Sequence, residues 1–377
     1  MLLYRKLGTM IFPIPSVKSP VAGWAQTCRC TRPHFLLIIP ARTIGVRVLR
    51  LDSPRVCMEV DVPTEFRLLM ISAMYENGGN TTQRLLDGHP ELFSYPFESQ
   101  PGTKFVQDHL THLFPVKYRW PVFPLSGTAE ADFDAIIDEE CKVRLKTPHA
   151  SKFRECKLEM DDWNRKSLFL KYMAGQERSR ANIVSAFFRA SADAWKDYQR
   201  TGREKVHVGY SPIIVVDADK IVEDLPNAHV LHVVRNPWSA YADTKKRPVP
   251  QPLAQYITGW CIVQHAAMTF AEMFPQRVHV LRYEDIVAYP VTVLNSALSK
   301  MGLSKSTTVA KPTWNGRMLN QVHPWGTVRT PTPEANRATA EELTDAEKEE
   351  IRIRARPYLE HFDYENYLSL TGERDAA

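Results

Sequence analysis

The sequence predicts an α/β fold, a mostly parallel central sheet flanked by helices, and three strand-then-helix units carry that prediction. In the first, Val230, Leu231, Val233 and Val234 form a short apolar run rich in β-branched residues, which reads as a buried strand. It ends at Arg235-Asn236-Pro237, and Pro237 suits the first position of a helix that continues through Ala240 and Tyr241. In the second, the apolar run at 68–71 leads to Gly78-Gly79-Asn80-Thr81-Thr82. Leu85 and Leu86 then begin an apolar face that stops at Gly88-His89-Pro90. In the third, the run at 278–281 passes through Arg282-Tyr283-Glu284-Asp285 into an amphipathic helix marked by Pro290, Leu294 and Leu298.

Two of these turns have chemistry in them. A strand that carries Arg235 to its C-terminal tip places a fixed positive charge in the crevice where open α/β sheets bind ligands. Glycines ahead of a helix let the backbone approach an anion, which the N–H groups and dipole at the helix start favour. Gly78, Gly79, Asn80, Thr81, Thr82 and Gln83 are therefore candidate anion-binding residues, the threonines adding hydroxyl donors. The loop departs from the Walker A pattern GxxxxGK[ST], because no lysine follows its glycines. A magnesium-dependent kinase or nucleotide hydrolase also needs acidic metal ligands, and no apolar run ending in Asp follows to supply them. Taken singly, each turn also reads as ordinary: a surface arginine, and a Gly-Gly turn before a plain helix.

Composition fits one enzyme-sized domain with an extension. Hydrophobic residues make up 44% and charged residues 24%, ordinary for a soluble globular protein. No run approaches the roughly 18–20 apolar residues that span a membrane. Residues 1–57 hold nine Lys/Arg against Asp52 alone, a net charge of +8, which leaves the remainder of the chain's +5 at −3. The basic balance thus belongs to residues 1–60, which read first as a disordered tail or start-site artefact. A transit peptide and a segment that binds an acidic surface are the other readings. Cysteines 28, 30, 57, 141, 156 and 261 show no framework of spacings, which fits reduced thiols in a cytoplasmic protein.

In this order and spacing the three units resemble the 3′-phosphoadenosine-5′-phosphosulfate (PAPS)-dependent sulfotransferases. That family pairs a Gly/Ser/Thr loop with a following His-Pro, then an Arg-Asn-Pro or Arg-Asp-Pro turn, then Arg-Tyr-Glu-Asp-Leu. The counterparts here are Gly78 to Thr82, His89-Pro90, Arg235-Asn236-Pro237 and Arg282-Tyr283-Glu284-Asp285-Ile286. The likeness covers residues 67–302, with a weaker tail to 364, and is similar to the glycan- and tyrosylprotein-modifying branch. It implies a P-loop-like sulfotransferase fold over residues 61–377. It implies PAPS as co-substrate, no metal in the chemistry, transfer of a sulfuryl group to a hydroxyl or amine, and release of 3′,5′-ADP. The acceptor would be a glycan, peptide or small metabolite, with no nucleic-acid partner; the oligomeric state stays open.

The departures bear on the site. The family usually carries a lysine or arginine where Gly78 stands, so a cation should come from elsewhere, with Arg84, Lys146 and Lys171 nearest in sequence. The family serine that binds the 3′-phosphate, eight residues after the arginine of the turn, is Asp243 here, and neighbouring Thr244 is the substitute hydroxyl. Sulfuryl transfer needs a base at the acceptor hydroxyl. By the family likeness that base is Glu98, a little past His-Pro, with His149 as runner-up. Ahead of the last helices, Arg329 is a candidate for the 3′-phosphate and Trp325 for the adenine, or both are ordinary loop residues.

The segments between the motifs should build the acceptor pocket. Residues 114–124 read as an ordered loop rich in proline and aromatics, residues 132–140 and 142–157 as an acidic and a basic helix, and residues 177–200 as one long helix. His232, inside a strand pattern, reads as a satisfied packed histidine. Two other functions stay open at this point: a P-loop kinase or nucleotide hydrolase, and a non-catalytic homologue that binds a nucleotide or glycan.

Overall fold

The computed structural model describes residues 65–319 and 332–369. Residues 1–60, Trp325 and Arg329 lie outside the described residues. Five strands form one sheet: β1 (Leu68–Ala73), β2 (Leu92–Ser94), β3 (Val206–Tyr210), β4 (Ala228–Val234) and β5 (Val278–Arg282). Their order is β2-β3-β1-β4-β5, and every pairing is parallel. A short antiparallel pair, β6 (Thr313–Trp314) and β7 (Arg317–Met318), stands apart from it.

Helices cover both faces of the sheet, which is why β1 reads as an unbroken apolar run: all six of its residues are fully buried or nearly so. Leu68 and Met70 pack into one core layer, and Leu69, Ile71 and Ala73 into the other. The second layer is closed by α1 (Gly79–Leu86), α9 (Tyr283–Ala288) and α10 (Pro290–Lys300), through Leu85, Leu86, Ile286, Leu294 and Leu298. The first layer is the larger. It takes in α5 (Arg180–Ala194), α6 (Ala218–Asp224), α7 (Pro237–Lys245), α8 (Leu253–Met273) and α12 (Asp345–His361). Helices α2 (Ala129–Ala135), α3 (Glu139–Lys146), α4 (Asp162–Met173) and α11 (Pro333–Glu341) complete the α-helices of the described residues.

Local signals set several boundaries. Pro237 stands at the first position of α7 and Pro290 at that of α10. Thr344 closes a capping box with Glu347 at the start of α12. His232 is satisfied by Gln264 at 2.9 Å and Ser72 at 3.2 Å.

Three predicted helices differ in extent. The acidic stretch is α2 and then a break, because Asp138 adopts a left-handed conformation (φ 39°) with its carboxylate buried against Tyr95 Oη and Arg165. The basic stretch is helical only as α3: Pro148 disfavours helical geometry at Thr147, and the chain beyond 150 turns irregular up to α4. The long helix is α5 alone, begun by the Ser179 side chain, which accepts from the Asn182 N–H.

Candidate active site

A cavity of about 630 Å³ opens at the C-terminal ends of four strands. Tyr75 and Glu76 follow β1, Tyr210 ends β3, Arg235 follows β4 and Tyr283 follows β5, and all of them line it. From β1 the chain moves to β2 on one side of the sheet, and after β3 it crosses to β4 on the other. The cavity therefore lies at the point where strand order reverses, the ligand crevice of open α/β sheets.

The glycine loop forms part of its wall. Gly78 has a left-handed backbone (φ 89°), and a Cβ there would lie 2.2 Å from the Tyr283 ring. A Cβ on Gly79 would lie 2.3 Å from the Tyr210 ring. Both glycines are thus required by two aromatic walls pressed against the loop, besides leaving the backbone open to a ligand. Thr82 N–H makes the first intrahelical bond of α1, to Gly78 O at 2.9 Å, so the N–H groups of Gly79, Asn80 and Thr81 precede the ladder at the cavity edge.

Thr82 and Gln83 do not line the cavity; they brace it. The Thr82 hydroxyl donates to Gly78 O at 3.0 Å. Gln83 Nε2 donates to Tyr95 O at 2.6 Å and Phe97 O at 2.9 Å, and buried Arg84 donates to Pro96 O at 3.3 Å. Helix α1 therefore holds the backbone that delivers Glu98. Asn77, which carried no expectation from the sequence, ties the loop to β4: its Oδ1 accepts from Arg235 N at 3.0 Å and from Trp260 Nε1 at 3.1 Å.

Arg235 is buried, with its guanidinium 5.2 Å from the Tyr283 ring centre. It donates to Asp243 Oδ2 (2.8 Å), Glu76 O (2.8 Å) and Asn336 Oδ1 (2.6 Å). Burial alone would lower its pKa, but Tyr283, Asp243 and Glu284 outweigh burial and hold it above the ordinary arginine value. Asn236 caps α7 through Ser239 N–H and donates to Glu284 Oε1 at 2.8 Å. Glu284 also accepts from Asn336 and from the Tyr364 hydroxyl. One half-buried carboxylate thus knits the Arg-Asn-Pro turn to the Arg-Tyr-Glu-Asp turn.

Glu98 lines the cavity as well, next to Tyr118 and Lys152. Its Oε2 accepts from Gln100 Nε2 at 3.1 Å, and its backbone N–H donates to Glu140 Oε2 at 3.1 Å. Glu140 in turn pairs with Lys152. Burial first, then the neighbouring Glu98 charge, pushes the Glu140 pKa up to about 7, against the pull of Lys152. Burial likewise raises the phenols of Tyr75, Tyr118 and Tyr210 around this cluster.

Other candidates from the sequence fall elsewhere. Thr244 is fully buried, with its hydroxyl on Ala240 O at 2.8 Å, and does not reach the cavity. His149 is exposed in a short turn (Pro148–Ala150) and is not part of the wall. Arg84, Lys146 and Lys171 are also outside the wall; Arg84 lies over the Trp314 ring and Lys146 pairs with Asp162. Among the described residues, the cations of the wall are Lys152, Arg235, Lys246 and Arg247, and the acids Glu76, Glu98, Asp243 and Glu342. Lys246 and Arg247 belong to a basic run that reads only as a helix end. Lys152 and Glu140 stand in stretches whose charge pattern is that of a solvated face. No local signal distinguishes them.

The sulfotransferase family model matches residues 78–307. The chain belongs to the sulfotransferase family. Its fold is the α/β, P-loop-like fold of that family, and sulfuryl transfer is the class of reaction the family supports. Among solved structures, the sulfotransferase domain from the Synechococcus PCC 7002 olefin synthase is 20% identical with a TM-score of 0.39, covering 67% of this chain and 78% of that one. The sulfotransferase from Alicyclobacillus acidocaldarius is 14% identical with a TM-score of 0.40, covering 80% and 96%. Sulfotransferase STF9 from Mycobacterium avium is 13% identical with a TM-score of 0.39, covering 80% and 78%. No curated protein matches the sequence. Among the described residues, no helix is long and apolar enough to cross a membrane.

Proposed function

We propose that this sulfotransferase-family chain moves a sulfuryl group from PAPS to a hydroxyl or amine of a glycan, peptide or small metabolite and releases 3′,5′-ADP. The observation that carries the proposal is that one cavity is lined by the start of α1, by Arg235 and by Glu98. In this reading the 5′-phosphosulfate lies on the free N–H groups of Gly79, Asn80 and Thr81, and the 3′-phosphate lies by Arg235. The acceptor oxygen attacks sulfur and forms a new S–O bond as the bond from sulfur to the bridging phosphate oxygen breaks. The acceptor proton passes to the Glu98 carboxylate, and the charge left on phosphate faces the helix start, where preorganised donors act most strongly. In this reading Lys152 and Arg247, held in place by Glu140 and Glu76, bring to this end of the cavity the positive charge that the loop itself lacks. The rings of Tyr75, Tyr118 and Tyr210 give the acceptor apolar faces to rest on.

The test is incubation of the protein with sulfur-labelled PAPS and an extract of its source, followed by identification of what becomes labelled. A labelled acceptor that disappears with Glu98→Gln supports the proposal. Absence of any labelled product, with no 3′,5′-ADP released, counts against it.

A further inference from the structure

Arg235 is the most deeply buried cation of the cavity, and the protein itself takes up most of its donors. Nη1 donates to Asp243 Oδ2 at 2.8 Å and to Glu76 O at 2.8 Å, while Nε donates to Asn336 Oδ1 at 2.6 Å. Among the described residues Nη2 has no such acceptor. An anion that grips an arginine through two parallel bonds uses either the Nη1–Nη2 edge or the Nε–Nη2 edge. Asp243 occupies the first of these edges and Asn336 the second.

Asp243 also lines the cavity, with its side chain 30% exposed, and its other oxygen takes Lys246 at 3.3 Å. The remaining cations are paired in the same way: Lys246 with Glu342 at 2.8 Å, Arg247 with Glu76 at 3.6 Å, and Lys152 with Glu140. Among the described residues, a dianion at Arg235 would therefore find one free guanidinium nitrogen and, beside it, a carboxylate that repels it. A hydroxyl suits the same two groups better, because it donates to a carboxylate and accepts from Nη2 at once.

We infer that Asp243 sets the selectivity of the pocket at the ribose edge of the nucleotide, competing with a ribose phosphate for Arg235. A nucleotide with free ribose hydroxyls then binds nearly as well as one carrying the 3′-phosphate. This rests on the reading of the cavity as the site of the donor nucleotide. It follows the usual logic of specificity, in which a repulsive group discriminates as strongly as an attractive one.

The experiment is calorimetric titration of the full chain, and of its Asp243→Asn and Asp243→Ser variants, with 3′,5′-ADP and with 5′-AMP. Asn keeps the shape and can still accept from Nη1, while Ser offers a hydroxyl, so the two variants load the fold differently. The expected dissociation constants for the parent differ by no more than about tenfold. Each variant should bind 3′,5′-ADP at least about tenfold more tightly, with 5′-AMP changed by less than about twofold. A parent that prefers 3′,5′-ADP by more than about a hundredfold overturns the inference. So does a ratio unchanged in both variants while both nucleotides bind. Binding of neither nucleotide by any of the three proteins overturns the donor-site reading itself, and the inference with it.

Discussion

The two polar clusters of the cavity are built in different ways. Around Arg235, the frame stands within a few residues of strand ends, the glycine loop after β1, Arg235 after β4 and Tyr283 after β5, and Asp243 of α7 and Asn336 of α11 pack onto it. Around Glu98, the groups come from separate stretches, Glu98 beyond β2, Glu140 in the first turn of α3 and Lys152 in an irregular segment. The first cluster is placed by the sheet. The second is placed by side chains, Gln83 and Arg84 holding the backbone before Glu98 and Glu140 holding its N–H. Substitutions at Arg235 should therefore act on nucleotide binding, and those beside the transferring group, at Thr81 and Glu98, on turnover.

The largest expected effect tests that division at Glu98. Glu98→Gln keeps the shape and removes the basicity, so turnover should fall by about 10²–10⁴-fold with donor affinity near the parent value. His149→Ala should leave turnover within about twofold, since His149 is exposed and outside the wall. If His149→Ala abolishes activity while Glu98→Gln remains active, the division is drawn in the wrong place.

The two threonines sharpen the comparison inside one helix. Thr81 lines the cavity with its hydroxyl beside the Tyr283 phenol, whereas the Thr82 hydroxyl turns into α1 and donates to Gly78 O. Thr81→Val should reduce turnover by about 10²-fold, as loss of one preorganised donor does. Thr82→Val should instead lower stability by about 1 kcal/mol, read from chemical denaturation, with little change in turnover. Equal losses of activity in the two variants would erase the distinction between wall and brace.

Arg235→Ala should weaken 3′,5′-ADP by about 2–3 kcal/mol, because it removes a charged donor and leaves Asp243 facing the ligand alone. The same change should weaken 5′-AMP by less than about 1 kcal/mol. Calorimetry with the two nucleotides reads both numbers; equal losses would mean that Arg235 supports the fold rather than the ribose edge.

How much of this was legible from sequence follows the same line. Runs of Val, Leu and Ile ending at Arg235, at the glycines and at Tyr283 are local patterns, so the sheet, its parallel sense and the first cluster could be read directly. What could not be read is which way a side chain turns. Thr244 looks like a hydroxyl beside Asp243, yet the turn of α7 aims it back at Ala240 O. Arg84 looks like the nearest cation to the loop, yet it lies on the opposite side of α1 over Trp314. Lys152 and Glu140 meet only because Asp138 breaks the acidic stretch and Pro148 ends α3, a tertiary outcome with no period to betray it.

Glu140 gives the second cluster a pH dependence. A carboxyl whose folded pKa is raised to about 7 from 4.5 favours the folded state below pH 4.5, and that advantage is lost as pH rises through 7. Glu140→Gln removes this dependence. Relative to the parent, the variant should therefore be more stable at pH 8 than at pH 5, by on the order of 1–3 kcal/mol. Thermal melts of both proteins at the two pH values check the sign. A difference that runs the other way would mean that Lys152 outweighs burial at this position.

The most direct measurement is a crystal structure of the chain with 3′,5′-ADP. The expected result places the 5′-phosphate within hydrogen-bonding distance of the N–H groups of Gly79, Asn80 and Thr81, with the ribose edge at Arg235 and Asp243 and Glu98 open to the acceptor side. A nucleotide bound elsewhere, or one whose 5′-phosphate points away from the start of α1, would contradict the assignment of this cavity to sulfuryl transfer.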